Sequence, residues 1–374
     1  MSNLLVTGGA GFIGSNFVHY WREHHPRDVV VVLDKLTYAG NLDNLASVNG
    51  ESGFHFVHGD ICDERLVLGL LREHSINTIV NFAAESHVDR SISGPDEFVQ
   101  TNVIGTHALL KAARAVWLES DPPVHAHRFH QISTDEVFGS LGDSDPPVAE
   151  TARYAPSSPY AASKAAADHL VSAYHRTYGL QTTISNCSNN FGPFHFPEKL
   201  IPLVIVNLLH GRAVPLYGDG RNVRDWLFVT DHCRGIERIL QHGKSGSYYN
   251  IGGNNEWTNL DLVRKLCQLM DDAFAGDPLL CPRFPASPAA AGGTCASLIS
   301  FVRDRPGHDF RYALDFSKCA AELDYSPRES IGVALSRTIQ WYLDNEQWWR
   351  RLIDADYQAW VEQQYGAATR LASR

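Results

Sequence analysis

The segment Thr7-Gly8-Gly9-Ala10-Gly11-Phe12-Ile13-Gly14 follows the apolar run Asn3–Thr7 and opens a helical stretch. No other feature limits the possible folds so strongly. Glycines at 8, 11 and 14 permit a tight strand-to-helix turn, a close backbone approach to a ligand, and packing of the helix on a sheet. The first N–H groups of such a helix lack intrahelical partners and suit a pyrophosphate. A glycine triplet alone is weak evidence. Its weight here comes from Asp34, twenty residues after Gly14, at the end of the β-branched run Asp28–Asp34. An acid at that place accepts hydrogen bonds from an adenosine ribose and repels a 2′-phosphate, favouring NAD over NADP.

The rest of the first half fits that start. Phe54–Asp60, Ile76–Ala84 and Arg128–Thr134 have the length and composition of strands. Helical patterns lie between and after them, at Leu66–His74, Phe98–Val116 and Pro159–Tyr178. Continuous apolar strands alternating with helices predict a doubly wound parallel sheet covered on both faces. Regularity breaks after about Gln181. Ser185–Arg224 reads as loops around one helix, Leu200–His210, and the strand-like pieces Leu227–Val229 and Ser247–Ile251 are expected to return to the main sheet. Pro282–Ser297 (PRFPASPAAAGGTCAS) reads as an exposed loop. Ser330–Tyr365 is predicted helical, with Trp341, Trp348, Trp349 and Trp360 serving packing or subunit contact. The expected halves are 1–185 with 229–256, binding the dinucleotide, and 186–228 with 257–374, binding a second ligand.

Net charge is −10, which argues against nucleic acid or an anionic membrane surface as a partner. An anionic ligand then needs locally placed cations. No apolar run is long enough to span a bilayer, and no basic region followed by an apolar stretch opens the chain, so a cytoplasmic location is expected. Seven irregularly spaced cysteines, an odd number without a Cys-x-x-Cys, predict free thiols. No metal site is expected. His125, His127 and His130 lack an acid or cysteine partner and fall at the wrong end of their strand. His87 is as well suited to packing as to a pocket wall, and His195 carries no assigned role. Gly243-Lys244-Ser245 is not a phosphate-binding loop, because the required preceding glycine is Arg238.

Ser158-Pro159-Tyr160-Ala161-Ala162-Ser163-Lys164 places a tyrosine and a lysine at i and i+4, on one helix face. An ammonium there, with a positive nicotinamide ring, lowers a tyrosine from about 10; about three units require ~4 kcal/mol. Tyr160 would then take an alcohol proton while hydride leaves. Thr134, ending the fifth strand, would hold the same oxygen. Asp135 and Glu136 follow directly. Two adjacent carboxylates push their proton affinities apart, which supplies one acid and one base.

These residues resemble the extended short-chain dehydrogenase/reductase superfamily and, within it, the dTDP-glucose 4,6-dehydratases. The resemblance runs through TGGAGFIGS (7–15), LDKLTYAGNLDNL (33–45), HGDICD (58–63), NFAAESHVDRSI (81–92), TNVIGT (101–106), STDEVFG (133–139), SPYAASKAAAD (158–168), SNNFGPFHFPEKLIP (188–202), LYGDGRNVRDWLFVTDH (216–232), YNIGG (249–253) and DRPGHD (304–309). The Thr-Asp-Glu triplet and PEKLIP are its specific markers, since epimerases and decarboxylases share only the glycine turn and the Tyr/Lys pair. The resemblance implies a Rossmann-type domain, a smaller α/β substrate domain, a homodimer and tightly bound NAD. It implies oxidation of dTDP-glucose at C4 by Tyr160, Lys164 and Thr134. Glu136 would then remove the C5 proton, Asp135 would protonate the departing 6-OH, and hydride would return to C6.

By motif, NAD would be held by Gly8, Gly11, Phe12, Ile13, Gly14, Asp34, Lys35, Leu36, Thr37, Asp60, Ile61, Ala83, Ala84, Thr101, Tyr160, Lys164 and Asn190. The nucleotide sugar would be held by Ser86, Thr134, Asn189, Lys199, Leu200, Pro215, Leu216, Tyr217, Arg224, Asn259, Arg305 and His308. Lys199, Arg224 and Arg305 would be the local cations for its diphosphate. A sugar-nucleotide 4-epimerase, UDP-glucose as substrate, and a dinucleotide-sensing regulator are the alternatives.

Overall fold

The computed structural model describes residues 2–304, 307–353 and 357. Twelve strands occur among them: β1 Asn3–Thr7, β2 Val29–Asp34, β3 Phe54–His58, β4 Thr78–Asn81, β5 Arg128–Thr134, β6 Thr182–Cys187, β7 Asn189–Phe191, β8 Val214–Tyr217, β9 Val223–Phe228, β10 Ser247–Ile251, β11 Glu256–Thr258 and β12 Ile299–Val302. Seven form one parallel sheet in the order β10-β6-β5-β4-β1-β2-β3. The chain builds outward from β1 to β3, then crosses back and builds outward from β4. That reversal leaves a crevice above the C-terminal ends of β1 and β4, where ligands bind in such sheets.

Alternate residues of each strand face opposite sides. Leu4, Val6, Val30 and Val32 pack with Phe17 and Val18 of helix Phe12–His24 and with Ile236 and Ile239 of helix Val229–His242. Leu5, Val31, Leu33 and Ile79 pack with Val67, Leu70, Leu109 and Val171 on the other face. A third core lies beyond the sheet, where helix Leu200–Leu209 meets Asn259–Gly276 and Ile331–Asp344. Trp348 and Trp349 are buried there, as expected, and Trp341 packs against them. Trp360 lies outside the described residues.

Helix Pro159–Tyr178 has the predicted limits because both ends are capped. The Ser158 hydroxyl accepts from the Ala161 N–H at 3.1 Å, proline occupies the first turn, and Gly179 closes the helix at φ +77°. The predicted helix 98–116 instead contains a π-helical stretch, Val99–Gly105, before Thr106–Trp117. The side chain of Asn102 within it donates to Ser163 Oγ at 2.8 Å and to the Glu85 carbonyl at 3.0 Å. Those bonds tie the irregular turn to the helix bearing Tyr160.

Two expectations fail and a third holds only in part. Thr182–Cys187 is a central strand, not the start of an irregular region. All six residues are buried, although four are polar. His130 makes this possible, since its two ring nitrogens meet Thr183 Oγ1 at 2.9 Å and Ser185 Oγ at 3.1 Å. The piece Leu227–Val229 does not join the main sheet. It belongs to β9, which pairs with β11 and β7 in a separate three-stranded sheet, while β10 takes the place beside β6. Pro282–Ser297 is mostly exposed, as expected, but it is anchored to the fold at a few buried points. Short 3-10 turns at Pro288–Ala291 and Cys295–Leu298 shape it, and Phe284, Ser287 and Cys295 are buried. The Asp271 carboxylate fastens it by accepting from Thr294 Oγ1 at 3.0 Å and from the Cys295 N–H at 2.9 Å.

All seven cysteines are unpaired thiols. Among the described residues no helix is long and apolar enough to cross a membrane.

Candidate active site

The turn after β1 supports the whole site. Gly8 has φ +66° and donates its N–H to the Leu33 carbonyl at 2.9 Å. A Cβ on Gly8 would stand 2.7 Å from the Ala83 backbone, and one on Gly14 would stand 2.3 Å from the Gly8 carbonyl oxygen. The turn is therefore pressed against the segment after β4. Helix Phe12–His24 begins at Gly11 with no side-chain cap and no acid in its first turn, so its leading N–H groups face the crevice without a protein anion. Asp34 is buried, and each of its oxygens takes a backbone N–H, from Ala10 at 2.9 Å and from Leu36 at 2.8 Å. Burial raises its proton affinity and these two bonds oppose that. Lys35 pairs with Asp60 at 2.8 Å beside it.

A cavity of about 370 Å³ opens over this turn. Of the residues expected to hold a dinucleotide, all but Leu36 line it: Gly8, Gly11, Phe12, Ile13, Gly14, Asp34, Lys35, Thr37, Asp60, Ile61, Ala83, Ala84, Thr101, Tyr160, Lys164 and Asn190. Leu36 adopts φ +53° and packs its side chain on the core beneath the sheet edge. The same cavity is lined by Thr134, Asp135, Glu136, Ser86, Asn189, Lys199 and Leu200. The structure thus unites the glycine turn, the Tyr/Lys pair and the carboxylate pair in one space.

Of the remaining expected sugar-nucleotide residues, those described do not line it. Leu216 is buried in the third core, while Pro215 and Tyr217 flank it on β8. Tyr217 reaches Asp89 Oδ2 at 3.4 Å and meets the His308 ring edge-on, and His308 pairs with Asp304 at 2.6 Å. Arg224 is buried, stacks over Tyr312 at 4.4 Å, and donates to the carbonyls of Val223, Phe310 and Asp309. Asn259 starts its helix as a buried side chain. Arg305 lies outside the described residues.

β5 ends at Thr134, and Asp135–Phe138 turns immediately as a 3-10 helix. The sharp turn is what aims two successive carboxylates into the cavity. Thr134 Oγ1 accepts the Glu136 N–H at 3.3 Å, donates to Asp135 Oδ1 at 3.2 Å and also meets the Tyr160 phenol. Asp135 Oδ2 is buried without a hydrogen-bond partner among the described residues. Burial first, then the neighbouring Glu136 charge, lift the Asp135 proton affinity well above the carboxylate range. Of the pair, Asp135 is the one that burial biases toward holding a proton.

One electrostatic expectation does not hold for the protein groups alone. Burial and the Glu136 charge raise the Tyr160 phenol well above its ordinary value, and Lys164 donates to the Ile132 carbonyl at 2.6 Å. Lowering the phenol requires positive charge beyond what the chain places there.

Residues without an assigned sequence role also shape the cavity. The His195 ring stacks on Phe12 with centroids 4.1 Å apart. Glu198, nearly fully buried, accepts from Tyr38 Oη at 2.9 Å and from Arg90 Nε at 3.3 Å, tying three cavity segments together. Its place inside PEKLIP was the available signal. His87 is buried 3.9 Å from that carboxylate and does not line the cavity. His127 and His130 are engaged in ordinary hydrogen bonds.

The GDP-mannose 4,6 dehydratase family model matches residues 5–338. A dTDP-glucose 4,6-dehydratase from Neisseria meningitidis serogroup B is 50% identical over 358 residues, covering 96% of this chain and 98% of the relative. The chain belongs to the dTDP-glucose 4,6-dehydratase family. A dehydratase of that name from Streptomyces venezuelae, crystallised with NAD and dTDP, is 46% identical with a TM-score of 0.82, covering 94% of this chain and 99% of that one. A UDP-glucose 4-epimerase from Thermotoga maritima has a TM-score of 0.77 but is only 25% identical, covering 92% and 99%. The dehydratase family and the epimerases thus share the scaffold.

Proposed function

We propose that this chain is an NAD-dependent hydro-lyase that converts dTDP-glucose to dTDP-4-keto-6-deoxyglucose and water. The observation that carries it is the placement of Asp135 and Glu136 in one cavity with Tyr160, Lys164 and the glycine turn. An epimerase needs the tyrosine and lysine but has no use for an acid and a base at the neighbouring carbons.

The residues fit NAD. The pyrophosphate would lie on the uncapped start of helix Phe12–His24, in the space that a side chain at Gly8 or Gly14 would distort, and the adenosine ribose on Asp34. Bound NAD would accept hydride from sugar C4 and return it to C6, and its positive ring would supply the charge that Tyr160 needs. Tyr160 takes the 4-OH proton, with Thr134 fixing the same oxygen. Oxidation at C4 acidifies the C5–H bond, and Glu136 removes that proton. Asp135, held protonated by burial, donates to the 6-OH as the C6–O bond breaks. Asn189 Oδ1, a buried acceptor without a hydrogen-bond partner among the described residues, suits a sugar hydroxyl. As hydride is delivered to C6, C5 takes a proton back, which completes the 4-keto-6-deoxy sugar; oxidation at C4 and reduction at C6 cancel, so the cofactor stays in place.

Incubation with dTDP-glucose, UDP-glucose and GDP-mannose in parallel, followed by mass spectrometry, tests this. Loss of one water from dTDP-glucose is expected. An isomer of unchanged mass would favour the epimerase, and no change with any of them would favour a regulator. Gly14→Ala is expected to purify nearly free of NAD and to lose about 1–3 kcal/mol of stability, because its methyl group must displace backbone. Extracted NAD content and thermal unfolding read the two effects separately.

We further infer a cytoplasmic homodimer. The free thiols support the compartment, and the exposed Val99, Ile104 and Tyr178 on segments 98–116 and 159–178 support the contact. Sedimentation velocity at micromolar concentration checks the dimer.

A further inference from the structure

Lys164 is an ammonium almost entirely removed from water, with only 4% of its surface exposed. A buried cation is costly unless an anion faces it. Its direct partner, the Ile132 carbonyl, is a dipole and not a charge. One turn further along the same helix, Asp168 is completely buried. Its Oδ2 accepts from Ser133 Oγ at 2.5 Å and from Tyr154 Oη at 3.0 Å, while Oδ1 is buried without a hydrogen-bond partner among the described residues.

We propose that Asp168 is a positioning residue for this reaction, whose buried carboxylate keeps Lys164 in the ammonium form that Tyr160 requires. The inference rests on the dehydratase reading of the same cavity.

The carboxylate is held by both elements that frame the catalytic groups. Ser133 directly precedes Thr134 on β5. Tyr154 packs edge-on against Phe138, in the turn that carries Asp135 and Glu136, with centroids 5.2 Å apart. The ionisable groups that act on Lys164 are Asp168 on its own helix and Cys187 on β6, with Tyr160 one turn earlier on the same helix. Those facing Asp168 are Lys164, Tyr154 and, on β10, Tyr248. Burial pushes the Cys187 thiol and the phenols of Tyr154 and Tyr248 up, and it pushes Tyr160 up as well where no cofactor charge opposes it, so none of them supplies the negative charge that Lys164 needs. Asp168 is the anion of this set. Burial lowers the hold of Lys164 on its proton, and Asp168 is the largest opposing influence. Burial also moves the Asp168 carboxyl up to about 6, against Lys164 and its two hydroxyl donors, so it is charged above that pH.

Removing the charge leaves Lys164 buried without an anion, and its proton is lost at lower pH. For Asp168→Asn, the alkaline limb of the kcat profile for dTDP-glucose dehydration is expected to move down by about one pH unit, with about a tenfold loss at pH 8. Asp168→Glu, which restores the charge, is expected to return the limb toward its original position. An unchanged limb in Asp168→Asn, with kcat reduced evenly at every pH or only a lowered unfolding temperature, would make the residue structural and overturn the inference.

Side-chain carboxyl 13C NMR gives a readout that does not require Asp168→Asn to fold. Replacing the lysine, in Lys164→Met, is expected to raise the Asp168 titration midpoint above its value of about 6. An unmoved midpoint would show the two groups to be uncoupled. If the unaltered protein releases no water from dTDP-glucose, the dehydratase reading fails, whatever the NMR titration shows.

Discussion

Glu136→Gln is expected to lower kcat for water loss by about 10²–10⁴-fold, the usual contribution of a positioned proton-transfer group. The loss should be confined to one step. Tyr160, Thr134 and Lys164 remain, so C4 oxidation proceeds, and the near-ultraviolet absorbance of reduced nicotinamide should build up on mixing with dTDP-glucose. In deuterated water the unaltered protein should place deuterium at C5, and the variant should not. Normal deuterium incorporation by Glu136→Gln would remove this residue as the C5 base. The replacement keeps nearly the same volume at a half-buried position, so folding should be little affected.

Tyr160→Phe is expected to be at least as severe, about 10³-fold or more in kcat, and to act one step earlier. Without a phenol no group takes the 4-OH proton, so neither reduced nicotinamide nor deuterium at C5 should appear. The two variants therefore differ in kind. One stalls with the sugar oxidised, the other with it intact. Removing the phenol oxygen also relieves its burial, so the variant is expected to unfold at the same temperature or slightly higher. A Tyr160→Phe protein that still accumulates reduced nicotinamide would require a different base at C4. Lys164 does not fill that role, because its ammonium is held by the Ile132 carbonyl at 2.6 Å.

Much of the site was legible in the chain because its parts are local. The glycine turn, the acid ending β2, the Tyr160/Lys164 spacing and the Thr134–Glu136 triplet each sit on one element or at one junction. Helix and strand periods then carry them to the same sheet edge. The limits of helix Pro159–Tyr178 were equally local, since Ser158, Pro159 and Gly179 stop it at both ends. What escaped notice depended on partners distant in sequence. β6 is hidden because Thr183 and Ser185 look like loop residues until His130 satisfies them from the next strand. The segment 282–297 reads as an exposed loop of small residues, and only the fold shows that Asp271 and the third core anchor it at Phe284 and Cys295. Glu198 has no role of its own to read in the chain until Tyr38 and Arg90 enclose it.

The order of residues thus settled which chemical groups are present, on which element, and at which strand end. It did not settle their charge. Asp135 and Glu136 are adjacent carboxylates of nearly equal intrinsic acidity, and only the folded chain, by burying the first more deeply, raises its hold on a proton and so sets the two apart. Spacing along a chain is a local property, whereas the cost of removing a charge from water depends on every group that surrounds it.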